Sequence, residues 1–195
     1  MSVVARMRRH PSGAEPDEVL IKSIAARDES AMRTLYERHN ARVFRFVAQI
    51  VKDEHLAEDI TSEAFFEVWR QAGTFESRSQ VPTWLLAIAR FKAWSTNRVH
   101  RSVSLDEAKA ERIEDAADNP EEALIKLDNG AMLRASLARM SPEHREIIDL
   151  VYYHEKTITE VAEILQVPRN TVKTRMFYAR KALQRHMVRA TKARR

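Results

Sequence analysis

Three glycines in 195 residues constrain this chain more than any other feature. Sheet-rich folds reverse direction often and use glycine and proline to do so. With three glycines and six prolines, the sequence predicts long helices, few tight turns and an all-α fold. Hydrophobic residues make up 44%, enough for packed cores, and the length suits one ordinary domain or two small ones. There is no cysteine, which excludes disulfide frameworks, thiol nucleophiles and cysteine–zinc sites.

The net charge of +5 is unevenly spread. Residues Asp106 to Glu122 carry eight acids against Lys109 and Arg112, whereas Arg169 to Arg195 carry ten bases and no acid. The acidic segment has few large apolar residues and ends at Asn119-Pro120, so it reads as a flexible linker. This divides the chain into a disordered tail (1–16), an N-terminal helical lobe (17–101), an acidic linker (102–119), a C-terminal helical lobe (120–187) and a basic tail (188–195). With little in the linker to bury, the two lobes are expected to move independently. No stretch approaches the roughly 20 apolar residues that cross a bilayer. The bases Arg6, Arg8 and Arg9 are followed by polar residues rather than the apolar core of a signal peptide, so the expected location is cytoplasmic.

Helical periodicity fills both lobes. In the first, Asp17 is a candidate cap for a helix with Leu20, Ile21 and Ile24 inward. Asp28 or Ser30 caps the next, which buries Leu35, Val43 and Val47, with Tyr36 on the same stripe. Asp53 or Glu54 punctuates before the stripe Leu56, Ile60, Ala64, Phe65, Val68 and Trp69, and Gly73 is expected to end that helix. Thr74 to Pro82 is a polar loop. Pro82 then opens a helix with Trp84, Leu85, Ile88, Ala89, Phe91 and Trp94 inward. In the second lobe a helix is expected near Pro120 to Ala138. Ser141-Pro142 starts another, and Thr157 with Glu160 forms the S/T-x-x-E capping box of a third.

Val167-Pro168 breaks that short helix, and a long basic helix begins at Arg169. A short helix, a tight turn and a longer basic helix form a helix-turn-helix. Ala162 is small where the helices cross, Val167 plugs the turn, and Val172 and Met176 pack the last helix back. The opposite face carries Arg169, Asn170, Lys173, Thr174 and Phe177, side chains suited to base edges in a major groove. Arg175, Arg180 and Lys181 suit phosphates.

These runs resemble a known family. Ser141 to Ile148, Thr157 to Leu165 and Val167 to Leu183 are similar to region 4 of bacterial RNA polymerase sigma factors of the extracytoplasmic-function (ECF) group, within the sigma-70 family. His55 to Arg70 is similar to region 2.2, and Pro82 to Arg90 to region 2.3. The resemblance spans roughly residues 17–187 and implies two helical domains. It also implies partners: core RNA polymerase, through its beta-prime clamp helices and beta flap, promoter DNA and an anti-sigma factor. By the same resemblance Glu58, Asp59, Glu63 and Glu67 fall in the polymerase-binding helix. The loop Thr74 to Val81 falls at the reader of the −10 element, with Arg78, Ser79 and Gln80 offering hydrogen bonds to an extruded base. Asn97 and Arg98 follow at the basic end of the next helix. Phe91 and Ser95 stand where many relatives carry Asn and Asp.

Catalytic readings find no support. There is no Gly-rich phosphate loop and no G-x-S-x-G. The seven histidines lack metal-ligand spacing, so neither a cofactor nor a metal is expected, and the chain reads as a non-enzyme. Two other readings share the C-terminal motif: a stand-alone helix-turn-helix regulator, and a sigma-mimicking protein that sequesters an anti-sigma factor. The first leaves the N-terminal lobe without a role. Against the second, the chain lacks a receiver-like strand and helix alternation.

Overall fold

The computed structural model describes residues 15–103, 130 and 132–192, with side chains for 15–96, 130 and 132–189. The expected tail (1–16, apart from 15 and 16), most of the linker and the expected helix start near Pro120 lie outside the described residues. Four helices form the N-terminal lobe: α1 (Asp17–Ala25), α2 (Glu29–Val51), α3 (Glu54–Gln71) and α4 (Val81–Val103). The C-terminal lobe holds α5 (132–138), α6 (Pro142–Ile148), α7 (Ile158–Leu165) and α8 (Arg169–Lys192). A π-helical turn, Asp149–Tyr153, extends α6. No strand occurs among the described residues, as the glycine scarcity predicts.

Most helix starts are written in the sequence. Asp28 caps α2 by accepting from the N–H groups of Ser30 and Ala31, and Asp53 caps α3 through Leu56 N–H. Ser141 caps α6, and Thr157 with Glu160 completes both halves of the capping box on α7. Each cap satisfies orphan amide donors and contributes about 1 kcal/mol. Asp17 departs from its expected role. Pro16 occupies the cap position without a side-chain bond, while Asp17 accepts from Arg38 and lies 2.7 Å from His39 Nε2, tying α1 to α2.

Helix ends depart further from expectation. Gly73 has no left-handed backbone; α3 stops at Gln71 and passes into a 3-10 turn, Ala72–Thr74. The left-handed stops fall on Lys52 (φ 62°), which ends α2, and Gln166 (φ 55°), which ends α7. A Cβ in that region costs roughly 1–2 kcal/mol, which the surrounding packing must offset.

Helices α2, α3 and α4 pack against one another around Leu35, Val43, Phe46, Val47, Ile60, Ala64, Val68, Leu85, Leu86 and Ala89, with α1 laid over α2. In the second lobe α6 and α7 pack on α8 through Ile147, Leu150, Val161, Ile164, Val172 and Met176. Each such side chain contributes about 1.5–3 kcal/mol by leaving water. Trp69 and Trp84 are half-buried against the core. Phe91, expected inward, is 75% exposed, because α4 turns its other side to the lobe. Tyr36 is 39% exposed and meets the buried Phe65 edge-on at 4.8 Å.

The lobes do not stand apart. Helix α7 packs on α4, and α6 approaches α2. The Thr83 hydroxyl, at the start of α4, donates to Glu160 Oε1 (2.8 Å). Lys156 Nζ donates to the same oxygen (2.9 Å) and to Thr83 Oγ1 (3.0 Å). Arg90 grips Glu146 with a two-pronged contact, Nε to Oε1 at 2.7 Å and Nη2 to Oε2 at 3.3 Å, and the Trp94 indole N–H adds a third bond at 3.2 Å. Beside them the ring of Phe46 on α2 meets the buried His154 edge-on, and the Arg45 guanidinium lies 4.7 Å from the Tyr153 ring. The acidic linker predicts freedom for the lobes; in the structure, complementary polar side chains on the lobe faces bring them together.

Glu160 carries a pH signature. Burial raises its pKa, but hydrogen bonds from Lys156, Thr157 and Thr83 outweigh burial and bring it from 4.5 to about 2. A carboxyl with a depressed folded pKa stabilises fully above its unfolded value and loses that contribution as pH falls through the folded value. Thermal unfolding followed by circular dichroism should show a Tm that falls between pH 4.5 and 2 less steeply in Glu160→Gln than in the wild type. Parallel pH profiles would contradict the assigned network.

Candidate nucleic-acid and polymerase interfaces

The turn between α7 and α8 is closed by backbone geometry. Gln166 takes the left-handed conformation, and Val167 N–H bonds back to Ala162 C=O at 3.1 Å, a Schellman-type stop. Pro168 then ends the turn, and its carbonyl accepts from Val172 N–H. Val172, Met176, Ala179 and Ala182 are buried in succession along one side of α8, and Ala162 is buried where α7 crosses. The sequence-predicted reading residues Arg169, Asn170, Lys173, Thr174 and Phe177 are all exposed on the other side. Phe177 is 62% exposed and meets Tyr178 edge to face.

The three expected phosphate partners differ in their surroundings. Arg180 and Lys181 are exposed, and the Arg180 guanidinium sits 5.7 Å from the Tyr152 ring. Arg175 is half-buried, close enough to Glu143 for its charge to help lower that carboxyl's pKa, after the larger effects of Glu143's own backbone N–H and the Ser141 hydroxyl.

On the N-terminal lobe the loop before α4 is anchored at both ends. Phe75 packs on Trp84 at 4.8 Å, and the Gln80 carbonyl accepts from Thr83 and Trp84 N–H to begin α4. Between them Ser77 has φ 54°. Arg78 projects with 85% of its side chain exposed and pairs with Glu76 at 2.6 Å; Ser79 is half-buried and Gln80 exposed. The side chains of Asn97 and Arg98 lie outside the described residues.

The four acids of α3 do not form one uniform face. Glu58 and Asp59 are exposed, and Glu58 borders an open groove of about 430 Å³ between α2 and α3, with Tyr36, Asn40, Phe44 and Thr61. Glu63 and Glu67 instead flank Lys92 of α4, at 3.7 and 3.5 Å. Glu67 also accepts from Gln71, and that bond leads the lowering of its pKa. Among the described residues no cluster of three metal-ligating side chains occurs, and no helix is long and apolar enough to cross a membrane.

Sequence reading missed the polar residues at the lobe boundary: Thr83, Arg90, Trp94, Glu146, Lys156 and Glu160 as an inter-lobe set. One signal was available. Helix α4 carries Arg90, Lys92, Arg98 and Arg101 and no acid along its whole length.

Comparison with known proteins agrees with this geometry. Residues 35–102 match the model of sigma-70 region 2, and residues 136–185 match that of sigma-70 region 4. The chain is 29% identical over 179 residues to an ECF RNA polymerase sigma factor, SigK, of Mycobacterium sp. (strain KMS), covering 90% of this chain and 93% of that one. It is 28% identical over 170 residues to the SigK of Mycobacterium tuberculosis (strain ATCC 25618 / H37Rv), with 86% and 91% covered. The fold is similar to that of the sigma factor RpoE of Bartonella quintana, solved with the anti-sigma factor NepR (TM-score 0.63, 19% identity, 80% of this chain and 95% of that one). It is equally similar to that of CnrH, solved with the cytosolic domain of CnrY (TM-score 0.63, 19% identity, 87% and 96%).

The two faces of α8 should respond differently to truncation. Met176→Ala should destabilise the protein by about 2–5 kcal/mol, as loss of a buried side chain does. Phe177→Ala should stay within about 0.5 kcal/mol of wild type, as exposed substitutions do. Urea unfolding of both variants checks this, and a large loss in Phe177→Ala would mean that the ring serves packing rather than recognition.

Proposed function

This chain belongs to the sigma-70 family and to its ECF group; it binds core RNA polymerase and directs it to promoters, and we propose how its two lobes divide that work. The observation that carries the division is the outward face of α8. Its five polar and aromatic residues are free while the opposite face is sealed into the lobe. In this reading Arg169, Lys173, Thr174 and Phe177 enter the major groove at the −35 element, with Asn170 near the groove edge. Arg180 and Lys181 meet phosphate, with Arg175 in reserve behind Glu143. Arg78, Ser79 and Gln80, with Asn97 and Arg98, hold an extruded base and the separated strand at the −10 element.

Glu58 and Asp59 present free carboxylates beside the α2–α3 groove, a surface fit for a basic partner such as the beta-prime clamp helices. Glu63 and Glu67 complete that acidic helix face once Lys92 is displaced. Region 4 contacts the beta flap. An anti-sigma factor is the expected inhibitor, given that two proteins of this fold were solved with such partners or cognate cytosolic domains. The protein acts as a non-catalytic factor alongside polymerase in the cytoplasm.

Promoter-dependent run-off transcription with purified core polymerase tests the function, and core alone should give no promoter-specific product. Reversing Asp59 and Glu63 to Lys together should abolish co-purification with core while leaving the helical spectrum unchanged. Retained co-purification would move the polymerase surface elsewhere.

The −35 assignment has its own readout, a DNA-binding titration across −35 variants at several salt concentrations. Lys173→Ala should cost on the order of 1–3 kcal/mol on the preferred sequence and relax discrimination at one position. Arg180→Ala should weaken all sequences alike and reduce the salt slope by about one. Unchanged base preference in Lys173→Ala would rotate the recognition face by part of a turn.

A further inference from the structure

The π-helical turn after α6 leads into three consecutive rings, Tyr152, Tyr153 and His154, and they go three ways. His154 is buried against Phe46 of α2, and Tyr153 meets the Arg45 guanidinium. Tyr152 turns to α8 instead, where the Arg180 guanidinium lies 5.7 Å from the centre of its ring. Backbone bonds fix the end of the turn: His154 N–H donates to Asp149 C=O at 3.0 Å, and Lys156 N–H to Leu150 C=O at 2.9 Å. Leu150 is fully buried, so the segment that carries Tyr152 is anchored in the lobe while its ring is 59% exposed.

Arg180 follows Phe177 by three residues, one turn along α8, and so continues the outward face that carries Lys173 and Phe177. Among the described residues no carboxylate stands within ion-pair distance of it. The kind of partner matters. A carboxylate would take the N–H donors of the guanidinium and offset its charge. An aromatic ring attracts the cation to its face, consumes none of those donors and leaves the charge in place for a phosphate. An unheld arginine must also give up many rotamers when it takes a phosphate, whereas a confined one has lost part of that freedom beforehand.

We propose that Tyr152 is a positioning residue for DNA: its ring holds the Arg180 guanidinium at the edge of the reading face, set for a backbone phosphate of the −35 duplex. The other two bases assigned to phosphate have no such support among the described residues. Lys181 is exposed with no ring beside it, and Arg175 is half-buried near Glu143. The device therefore acts on one contact of the three. A cation–π contact at an exposed site corresponds to about a two- to fivefold change in an equilibrium constant.

The inference rests on the reading of Arg180 as a phosphate contact, and its test lets the two fail separately. The full chain is titrated by anisotropy against a fluorescein-labelled duplex of about 25 base pairs and mixed sequence, from about 50 mM salt upward, because a phosphate contact needs no particular sequence. Arg180→Ala should bind at least threefold more weakly, with a salt slope lower by about one. Tyr152→Ala should bind about two- to fivefold more weakly with the slope unchanged, since the cation remains. Tyr152→Leu, which keeps the bulk and removes the π face, should match Tyr152→Ala, and Tyr152→Phe should stay within about 1.5-fold of wild type. In the Arg180→Ala background Tyr152→Ala should change nothing further, whereas in the Lys181→Ala background its full effect should remain. Wild-type binding by Tyr152→Ala or Tyr152→Leu would overturn the proposal. An undiminished Tyr152→Ala effect in the Arg180→Ala background would overturn it too, because the tyrosine would then act by another route. So would a Tyr152→Phe as weak as Tyr152→Ala, which would make the hydroxyl the contact. Wild-type affinity and slope in Arg180→Ala would instead overturn the phosphate reading, and the inference with it.

Discussion

Two carboxylates of the C-terminal lobe, Glu146 and Glu160, decide the arrangement of everything else. Glu160 finishes the capping box that starts α7 and, with its other oxygen, accepts from Lys156 and from Thr83 across the lobe boundary. The start of the helix-turn-helix and its docking on the N-terminal lobe thus share one side chain. Glu146 closes the other end of the boundary on Arg90 and Trp94. An ion pair taken out of water gains little net stability, because the attraction mainly offsets desolvation. Such pairs fix the register of a boundary at which α7 also packs directly on α4.

The buried layer around these pairs refines the picture. His154 is fully buried beside Phe46, with Nε2 3.2 Å from Asp149 Oδ2. Lys52, in its left-handed turn at the end of α2, has its pKa lowered to about 8, chiefly by burial and then by the charge of Arg145, with Asp149 opposing. Arg145 itself is spent on the carbonyls of Leu137, Ala138 and Met140, which close α5. The line where the lobes meet is thus rich in charged and polar side chains, among which Asp149 Oδ2 and both ring nitrogens of His154 are buried without a hydrogen bond.

The helices, most of their first residues and the recognition face were legible in the sequence, because period and capping chemistry are local. Ser141, Thr157 with Glu160, and the alternation of Val172 and Met176 against Lys173 and Phe177 need no tertiary knowledge. Helix ends were not legible where Lys52 and Gln166 adopt the left-handed turn that glycine usually marks. Asp17 had the right chemistry for a cap, but a stronger tertiary use with Arg38 and His39 took it. Phe91 fell on the apolar stripe by period and yet faces water, since the stripe on α4 is narrower than the pattern suggests. Of the lobe boundary only the acid-free, basic character of α4 was legible: the partners of Glu146 and Thr83 lie 52–77 residues away, and nothing in local pattern pairs them.

The closed arrangement of the free protein is the claim on which the account turns, and a distance measures it directly. The chain has no cysteine, so Glu37→Cys and Gln184→Cys, both at exposed positions on α2 and α8, accept one spin label each. Pulsed dipolar spectroscopy of the free double variant should show one narrow distribution, no longer than the roughly 42 Å breadth of a compact chain of this size. Addition of core polymerase and promoter DNA should move it to much longer distances. A broad, long distribution in the free protein, unchanged by polymerase and promoter, would contradict the account.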